Sequence, residues 1–267
     1  MFKINGATPL PEYIKENKFI PTAFLTHRHP LDPHKVDTRF ANTDSPENFE
    51  KHLKTQPFDW HYKTKQIEYK VNSNGYRAKE WNEIDWPNAI VVLGCSMTAG
   101  IGVAEDETIT HFLSRLSGRE VVNLGLSGAG LDAMMFNNVN LRKHFGKPWA
   151  VVNLWTNIDR LIEFLDHRPE YHGIWSSAKY FKEHNRSEMN PIIKSLYYNE
   201  AVRQLWKDTR TYYATFFERT SHYFECEFLE HTNTARDLLH CGRNDNRINA
   251  QLIWKDISRQ KLKKRLK

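Results

Sequence analysis

A serine hydroxyl becomes a nucleophile only when a base takes its proton, and the base works best when a carboxylate holds its tautomer. This chain of 267 residues carries those types in suggestive places. Ser96 follows the run Ile90-Val91-Val92-Leu93-Gly94-Cys95 and precedes the small residues Thr98, Ala99 and Gly100. A run of aliphatic residues cut by glycine reads as a buried strand that delivers a serine to the start of a helix. Backbone N–H groups there have no internal partner and can stabilise an anion forming beside the serine. The same stretch also fits an ordinary strand-to-helix turn with a serine cap. Asp237 and His240, three positions apart, can project the same way from one turn, so one loop could supply both the carboxylate and the base. Alone, that pair reads equally as a capping aspartate and a surface histidine.

These residues need a scaffold that brings them together, and from Ala89 onward the pattern supplies one. Ile109, Phe112, Leu113 and Leu116 recur at helical spacing, with Asp106 as a cap and Gly118 as a stop. Val121–Leu124 is a second strand, Leu131, Met134, Met135 and Val139 mark a helix, and Trp149–Trp155 is a third strand. A long helix is predicted over Pro191–Phe217, a fourth strand over Tyr223–Leu229, and a last helix through Ile248, Leu252, Ile253 and Ile257. Alternating strands and helices with continuously apolar strands imply a parallel sheet covered on both faces, with its site at the carboxyl ends of the strands. Ser96, Ser127-Gly128 and Thr156-Asn157 follow the first three strands, and Asp237-Leu238-Leu239-His240 follows the fourth. All four groups therefore fall on one edge, where the bland reading of each is weakened by the others.

In this order the chain resembles the SGNH (GDSL-type) hydrolases, esterases and lipases of flavodoxin-like, three-layer α/β/α fold. Gly94-Cys95-Ser96 matches the family's Gly-Asp-Ser segment, with Ser96 in the place of the nucleophile. Gly128 matches the oxyanion-hole glycine, Asn157 the asparagine that donates to the same hole, and Asp237-Leu238-Leu239-His240 the Asp-x-x-His motif of orienter and base. Asn72–Arg77 resembles the stretch that precedes the core in some members. The resemblance spans about Trp86 to Ile257 and implies ester hydrolysis without a metal or organic cofactor. The chain departs from the family at Cys95, at Trp155-Thr156-Asn157-Ile158, which lacks the usual glycine, and at Cys241, where a proline is common. Cys95 could itself be proposed as nucleophile, but the motif puts Ser96 there, and a strand-end cysteine reads as a small buried hydrophobe.

The segment from about His167 to Pro191 follows the strand that bears Asn157 and should hang over the carboxyl edge. It interleaves Tyr171, Trp175 and Tyr180 with Ser176, Ser177 and charged residues, and offers little aliphatic surface. Aromatic faces beside hydroxyls suit sugar rings better than a long acyl chain. The expected substrate is a short-acyl, O-acetyl ester on a carbohydrate, with Trp155, Trp175 and Tyr180 as its binding set. An alternative of another class is a catalytically weak or inactive module that binds glycans or serves assembly.

Residues 1–85 differ from 86–267. Prolines recur at positions 9, 11, 21, 30, 33, 46 and 57 and apolar periodicity is poor, so an irregular extension packed on a hydrolase-like core is expected. Two strands are predicted within it, near Phe58–Tyr62 and Ile67–Val71. His27, His29 and His34 invite a metal, but no carboxylate or cysteine completes a set. The three cysteines, odd in number and without metal-site spacing, read as reduced thiols. No apolar run reaches the roughly 18 residues of a membrane span, and no secretory segment opens the chain, so a cytoplasmic location and no membrane partner are expected. The net charge of +6 owes much to the end, Arg259–Lys267, which reads as a solvated helix tail; no nucleic-acid motif accompanies it.

Overall fold

The computed structural model describes residues 19–20, 26–29, 32–165, 169–177 and 179–260. The tail 261–267 and the expected positions His167 and Arg168 lie outside the described residues, as do the side chains of His27, His29, His34, Tyr180 and His184.

The chain enters the described region with β1 (Thr26–His29) and β2 (Asp32–Ala41), an antiparallel pair, and then α1 (Pro46–Thr55). Ser45 caps α1 by accepting the Asn48 N–H, with Pro46 in the first turn, where its missing N–H costs nothing. The core follows as β3 (Ile90–Gly94), α2 (Ser96–Ala99), α3 (Ile109–Ser117), β4 (Val121–Gly125), α4 (Leu131–Phe145) and β5 (Ala150–Trp155). A hairpin, β6 (Leu161–Phe164) and β7 (Pro169–His172), and α5 (Lys179–His184) interrupt it. Then come α6 (Met189–Leu205), β8 (Arg210–Thr215), α7 (Glu218–Tyr223), β9 (Glu227–Phe228) and α8 (Arg243–Ile257).

Five of these strands form one parallel sheet in the order β4-β3-β5-β8-β9. Counted along the chain this is 2-1-3-4-5, the flavodoxin-like order, with its crevice at the carboxyl ends beside β3. Strand residues alternate between the faces, so each face has its own core. Val91, Leu93, Val122, Leu124, Val151 and Trp155 meet Leu131, Met134 and Leu141 of α4 and Ile192 and Val202 of α6. Ile90, Val92, Val152 and Leu154 meet Ile109 and Leu113 of α3 and Ala250, Ile253 and Ile257 of α8. The molecule is thus a three-layer α/β/α sandwich with a parallel central sheet.

Several expected elements are corrected. The helix predicted over Pro191–Phe217 is α6 followed by β8, separated by a turn that Thr209 N–H closes onto Trp206 C=O at 2.9 Å without glycine or proline to mark it. The strand predicted over Tyr223–Leu229 is the end of α7 and the two residues of β9. In the last helix Ile248 and Leu252 are exposed, and Asn246, Asn249 and Ala250 take the buried side. The cap of α3 is Thr108, which accepts His111 N–H, rather than Asp106. Near Phe58–Tyr62 the chain makes a single 3-10 turn at His61–Lys63. Ile67 and Tyr69 alternate with exposed Glu68 and Lys70 as expected, and Tyr69 N–H donates to Thr38 C=O, but among the described residues 67–71 join no strand ladder. Side-chain alternation reports a surface to lie on, whereas a strand also needs a partner edge.

Candidate active site

The turn after β3 is tight. A Cβ added at Gly94 would fall 2.0 Å from Thr98 Oγ1, so only glycine lets α2 fold back this closely on its strand. Cys95 is the N-cap residue, buried, and Ser96 opens α2 with its hydroxyl at the carboxyl edge.

At the far end of the chain, Asp237–His240 makes a compact turn. Asp237 Oδ1 accepts the N–H groups of Leu239 (3.1 Å) and His240 (3.2 Å), while Leu238 takes the left-handed φ of +59°. A leucine in that region is strained by roughly 1–2 kcal/mol, and such strain gathers at functional sites. The turn brings Asp237 Oδ2 to 2.6 Å from His240 Nδ1. An ionised carboxylate can only accept, so Nδ1 carries the proton and Nε2 is left as an acceptor. Nε2 lies 2.8 Å from Ser96 Oγ. Ser96, His240 and Asp237, expected together from sequence, form one hydrogen-bonded chain, and it is Ser96 Oγ rather than Cys95 Sγ that meets the imidazole. All three are buried. Burial alone would push the Asp237 carboxyl up; the hydrogen bond and charge of His240, then the hydroxyl of Thr43 and the Leu239 N–H, outweigh it and hold Asp237 below the usual carboxylate range.

The other strand ends border this chain of bonds. Gly128 has φ +77°, a conformation that glycine adopts at no steric cost. Among the described residues, neither the Ser96 nor the Gly128 N–H has a hydrogen-bond acceptor. Asn157 Oδ1 accepts the Asp159 N–H at 3.0 Å, which orients the amide and leaves its Nδ2 donor for another acceptor. Asn123 stiffens the edge from behind, donating to Thr98 C=O (2.9 Å) and accepting Gly125 N–H (2.9 Å).

The inserted hairpin walls the Gly128 loop: a Cβ built on Gly128 would come within 3.3 Å of Tyr171 Cβ and 3.9 Å of the Trp175 ring. Trp175 lies over Gly173, where any side chain would collide with the indole, and the residue is 54% exposed. Arg160 stacks between Trp175 and Phe217, 5.1 Å from each centroid, and donates to Thr156 Oγ1. Trp155 is a correction. It is 0% exposed, stacked on Tyr213 and edge-on to Phe224, because residue 155 shares the face of residues 151 and 153 and points into the helix layer. It offers no surface to a ligand. Tyr171 is legible in the sequence only as one aromatic of the insertion, and no local pattern singles out Arg160 or Thr43, the latter 194 positions from Asp237.

Comparison with known proteins adds the following. No protein-family model matches the chain, and no curated protein matches it. Among solved structures it is similar to a carbohydrate esterase whose active site is described as displaying divergent catalytic and non-catalytic binding functions, at 13% identity over 67% of each chain and a TM-score of 0.44. A family 2 carbohydrate esterase with a carbohydrate-binding domain from Corynascus thermopiles (Myceliophthora fergusii) matches at 12% identity over 64% of this chain and 67% of that one, TM-score 0.39. A member of the G-D-S-L lipolytic family from Veillonella parvula matches at 9% identity over 64% of this chain and 99% of the other, TM-score 0.39.

Four further observations bear on the chemistry. Glu163, Glu170 and His172, on one face of the hairpin, bring their ligand atoms within 4.8 Å of one another and could hold a divalent ion. A groove of about 950 Å³ beside α3 and the first residues of β4, lined by Lys70, Arg77, Glu105, His111, Arg115 and Arg119, contains none of the edge residues. All three cysteines are free, and burial pushes the Cys241 thiol up, away from the reactive thiolate. Among the described residues no helix is long and apolar enough to cross a membrane.

Proposed function

We propose that this protein is a serine esterase working by acyl transfer, with Ser96, His240 and Asp237 as its triad, 86–267 as its hydrolase domain and 1–85 as an extension to it. The observation that carries the reading is the unbroken hydrogen-bonded chain Asp237–His240–Ser96, together with the Ser96 and Gly128 N–H groups, which have no acceptor among the described residues. His240 Nε2 takes the Ser96 proton as Oγ attacks the ester carbonyl, and Asp237 holds the Nδ1–H tautomer. The N–H groups of Ser96 and Gly128 and the Asn157 amide receive the oxyanion; losing one such donor lowers kcat by about 10²–10³. His240 returns its proton to the departing alcohol, then takes one from water as water attacks the acyl-enzyme. The carboxylic acid leaves and Ser96 is restored. A fluorophosphonate probe should label the wild-type protein at Ser96 and leave Ser96→Ala unlabelled; equal labelling of the two sinks the reading.

The substrate in this reading is an O-acetyl ester on a carbohydrate. The half-exposed Trp175 beside Gly128, backed by the Arg160 guanidinium, presents an aromatic face of the kind that covers the C–H side of a sugar ring, and Tyr171 narrows the space over Gly128. Acetyl esters should be cleaved with higher kcat/KM than octanoyl esters, and Trp175→Ala should raise KM for an acetylated glycan more than for a small aryl acetate. A preference for octanoyl esters overturns the acyl assignment.

A further inference from the structure

We infer that the Asn42-Thr43 turn belongs to the active centre, with Thr43 as a positioning residue for the Asp237–His240 pair. Its consequence for catalysis rests on the esterase reading; its consequence for the imidazole tautomer does not. Ala41 and Asp44 exchange both backbone hydrogen bonds, 3.0 Å each, which leaves Asn42 and Thr43 as the tip of a tight turn. Asn42 takes φ +54°, a left-handed conformation that asparagine tolerates better than most residues. The tip reaches two loops of the site at once. Asn42 Nδ2 donates to Ser127 Oγ at 2.7 Å, next to Gly128, and Thr43 Oγ1 donates to Asp237 Oδ2 at 2.6 Å.

The second contact has the sharper consequence. Oδ2 of Asp237 also receives His240 Nδ1–H, and Oδ1 receives two backbone N–H groups of the same loop. Three of the four donors therefore belong to residues 239 and 240 and move with the carboxylate. Among the described residues, Thr43 is the donor that ties the Asp237 carboxylate to another part of the molecule. The turn that presents Thr43 is itself braced. Arg236 Nε and Nη2 donate to the two Asp44 oxygens at 2.7 Å each, the Tyr69 hydroxyl donates to Asp44 Oδ2 at 2.6 Å, and Asn48 Nδ2 donates to Thr43 C=O at 2.7 Å. With all its lone-pair directions engaged, the carboxylate cannot swing about its Cβ–Cγ bond. Without the Thr43 hydroxyl Oδ2 keeps His240 Nδ1–H as its one donor and the carboxylate loses its tie to the rest of the molecule, so the imidazole bonded to it is held less firmly in tautomer and aim.

The test compares Thr43→Val, which keeps the shape and drops the hydroxyl, with Thr43→Ser and Thr43→Ala in the full chain. ¹⁵N-histidine spectra, with His240 assigned by difference against His240→Asn, read the tautomer. Thermal unfolding reports the folded fraction, to which rates on a small acetyl ester are normalised. Wild type and Thr43→Ser should show the Nδ1–H tautomer, whereas Thr43→Val and Thr43→Ala should show a mixture. In those two, kcat should fall roughly ten- to hundredfold, the worth of a hydrogen bond to a charged group, with KM within twofold. If Thr43→Val does not fold, Thr43→Ala carries the comparison. An unchanged tautomer in the folded hydroxyl-free variants, or a Thr43→Ser as impaired as Thr43→Val, overturns the positioning role. If wild type cleaves no ester while the tautomer series behaves as stated, the esterase reading falls and the positioning of Asp237–His240 by Thr43 stands.

Discussion

Asp237 shows how much one side chain can carry. Its carboxylate is buried, yet four donors converge on it, from Thr43, His240 Nδ1 and two backbone N–H groups. Burial raises its pKa and the donors lower it by more, so the folded protein holds Asp237 below its ordinary value. A carboxyl depressed on folding contributes stability that is fully present above the unfolded pKa, about 3.9 for aspartate, and is lost as pH falls through the folded pKa. Urea unfolding of wild type and Asp237→Asn over a pH series should therefore show the largest gap at neutral pH, closing below the aspartate range. A gap that stays constant into acid would show that the charge of Asp237 contributes nothing to folding. On the esterase reading, Asp237→Asn also lowers kcat by about 10⁴, because the amide fixes the wrong tautomer. At this scale the sequence was readable where chemistry demands a residue type at a local spacing, as in Asp237-x-x-His240 or a serine after a buried strand. Thr43 was not readable, because nothing near it in the chain shows what it touches. Trp155 misled for a simple reason: a strand-end position says how far along the edge a residue lies, and its parity says which layer it enters.

At the scale of the element, α6 and the strand after it repay closer reading. The helical period was legible but its phase was not. A stripe drawn through the large apolar residues of α6 would take in Ile193 and Leu196, which are exposed, whereas Ile192, Ser195, Asn199 and Val202 are buried. The buried stripe is half polar, so hydrophobicity alone could not select it; Ser195 hides its hydroxyl by donating to Pro191 C=O. The same layer holds a buried polar relay. Trp206 Nε1 donates to Asn138 Oδ1 at 2.8 Å, and Asn138 Nδ2 donates to Asn153 Oδ1 at 2.8 Å and to Met134 C=O at 2.9 Å. Asn138 thus ties α4 to β5 and to the residue that ends α6. Asn138→Leu leaves the Trp206 N–H and Asn153 Oδ1 without these partners, at a cost of roughly 1–3 kcal/mol for each stranded group. A double-mutant cycle with Trp206→Phe isolates one link. The paired loss should be smaller than the sum of the single losses, since each change removes the same hydrogen bond. Additive losses in urea unfolding would mean that the relay does not couple α4 to α6.

Across the whole molecule, the early part of the chain and its last quarter meet over one buried ion pair. Arg236 grips Asp44 through two hydrogen bonds of 2.7 Å, with side chains 5% and 1% exposed, and its guanidinium stacks between the rings of Phe40 and Phe49 at 4.7 and 5.0 Å. Arg236 C=O faces His52 Nδ1 of α1 at 3.0 Å, and the Tyr69 hydroxyl bridges Asp44 to the Gly102 N–H. Residues 40–69 therefore clasp the loop that carries Asp237 and His240 from its outer side. Such a pair is costly to halve, because the survivor is a buried charge without its counterion. Arg236→Met and Asp44→Leu should each lose about 3–5 kcal/mol, whereas the double variant, which buries no charge, should recover most of that loss. The two halves of the comparison separate stability from site assembly. In the recovered double variant the fold returns but the turn that presents Thr43 has lost its brace, so fluorophosphonate labelling of Ser96 should remain slower than in wild type at equal folded fraction. Labelling restored in step with stability would mean that Asp44–Arg236 merely holds the molecule together; labelling that stays slow in a protein as stable as wild type makes the clasp a part of the active centre.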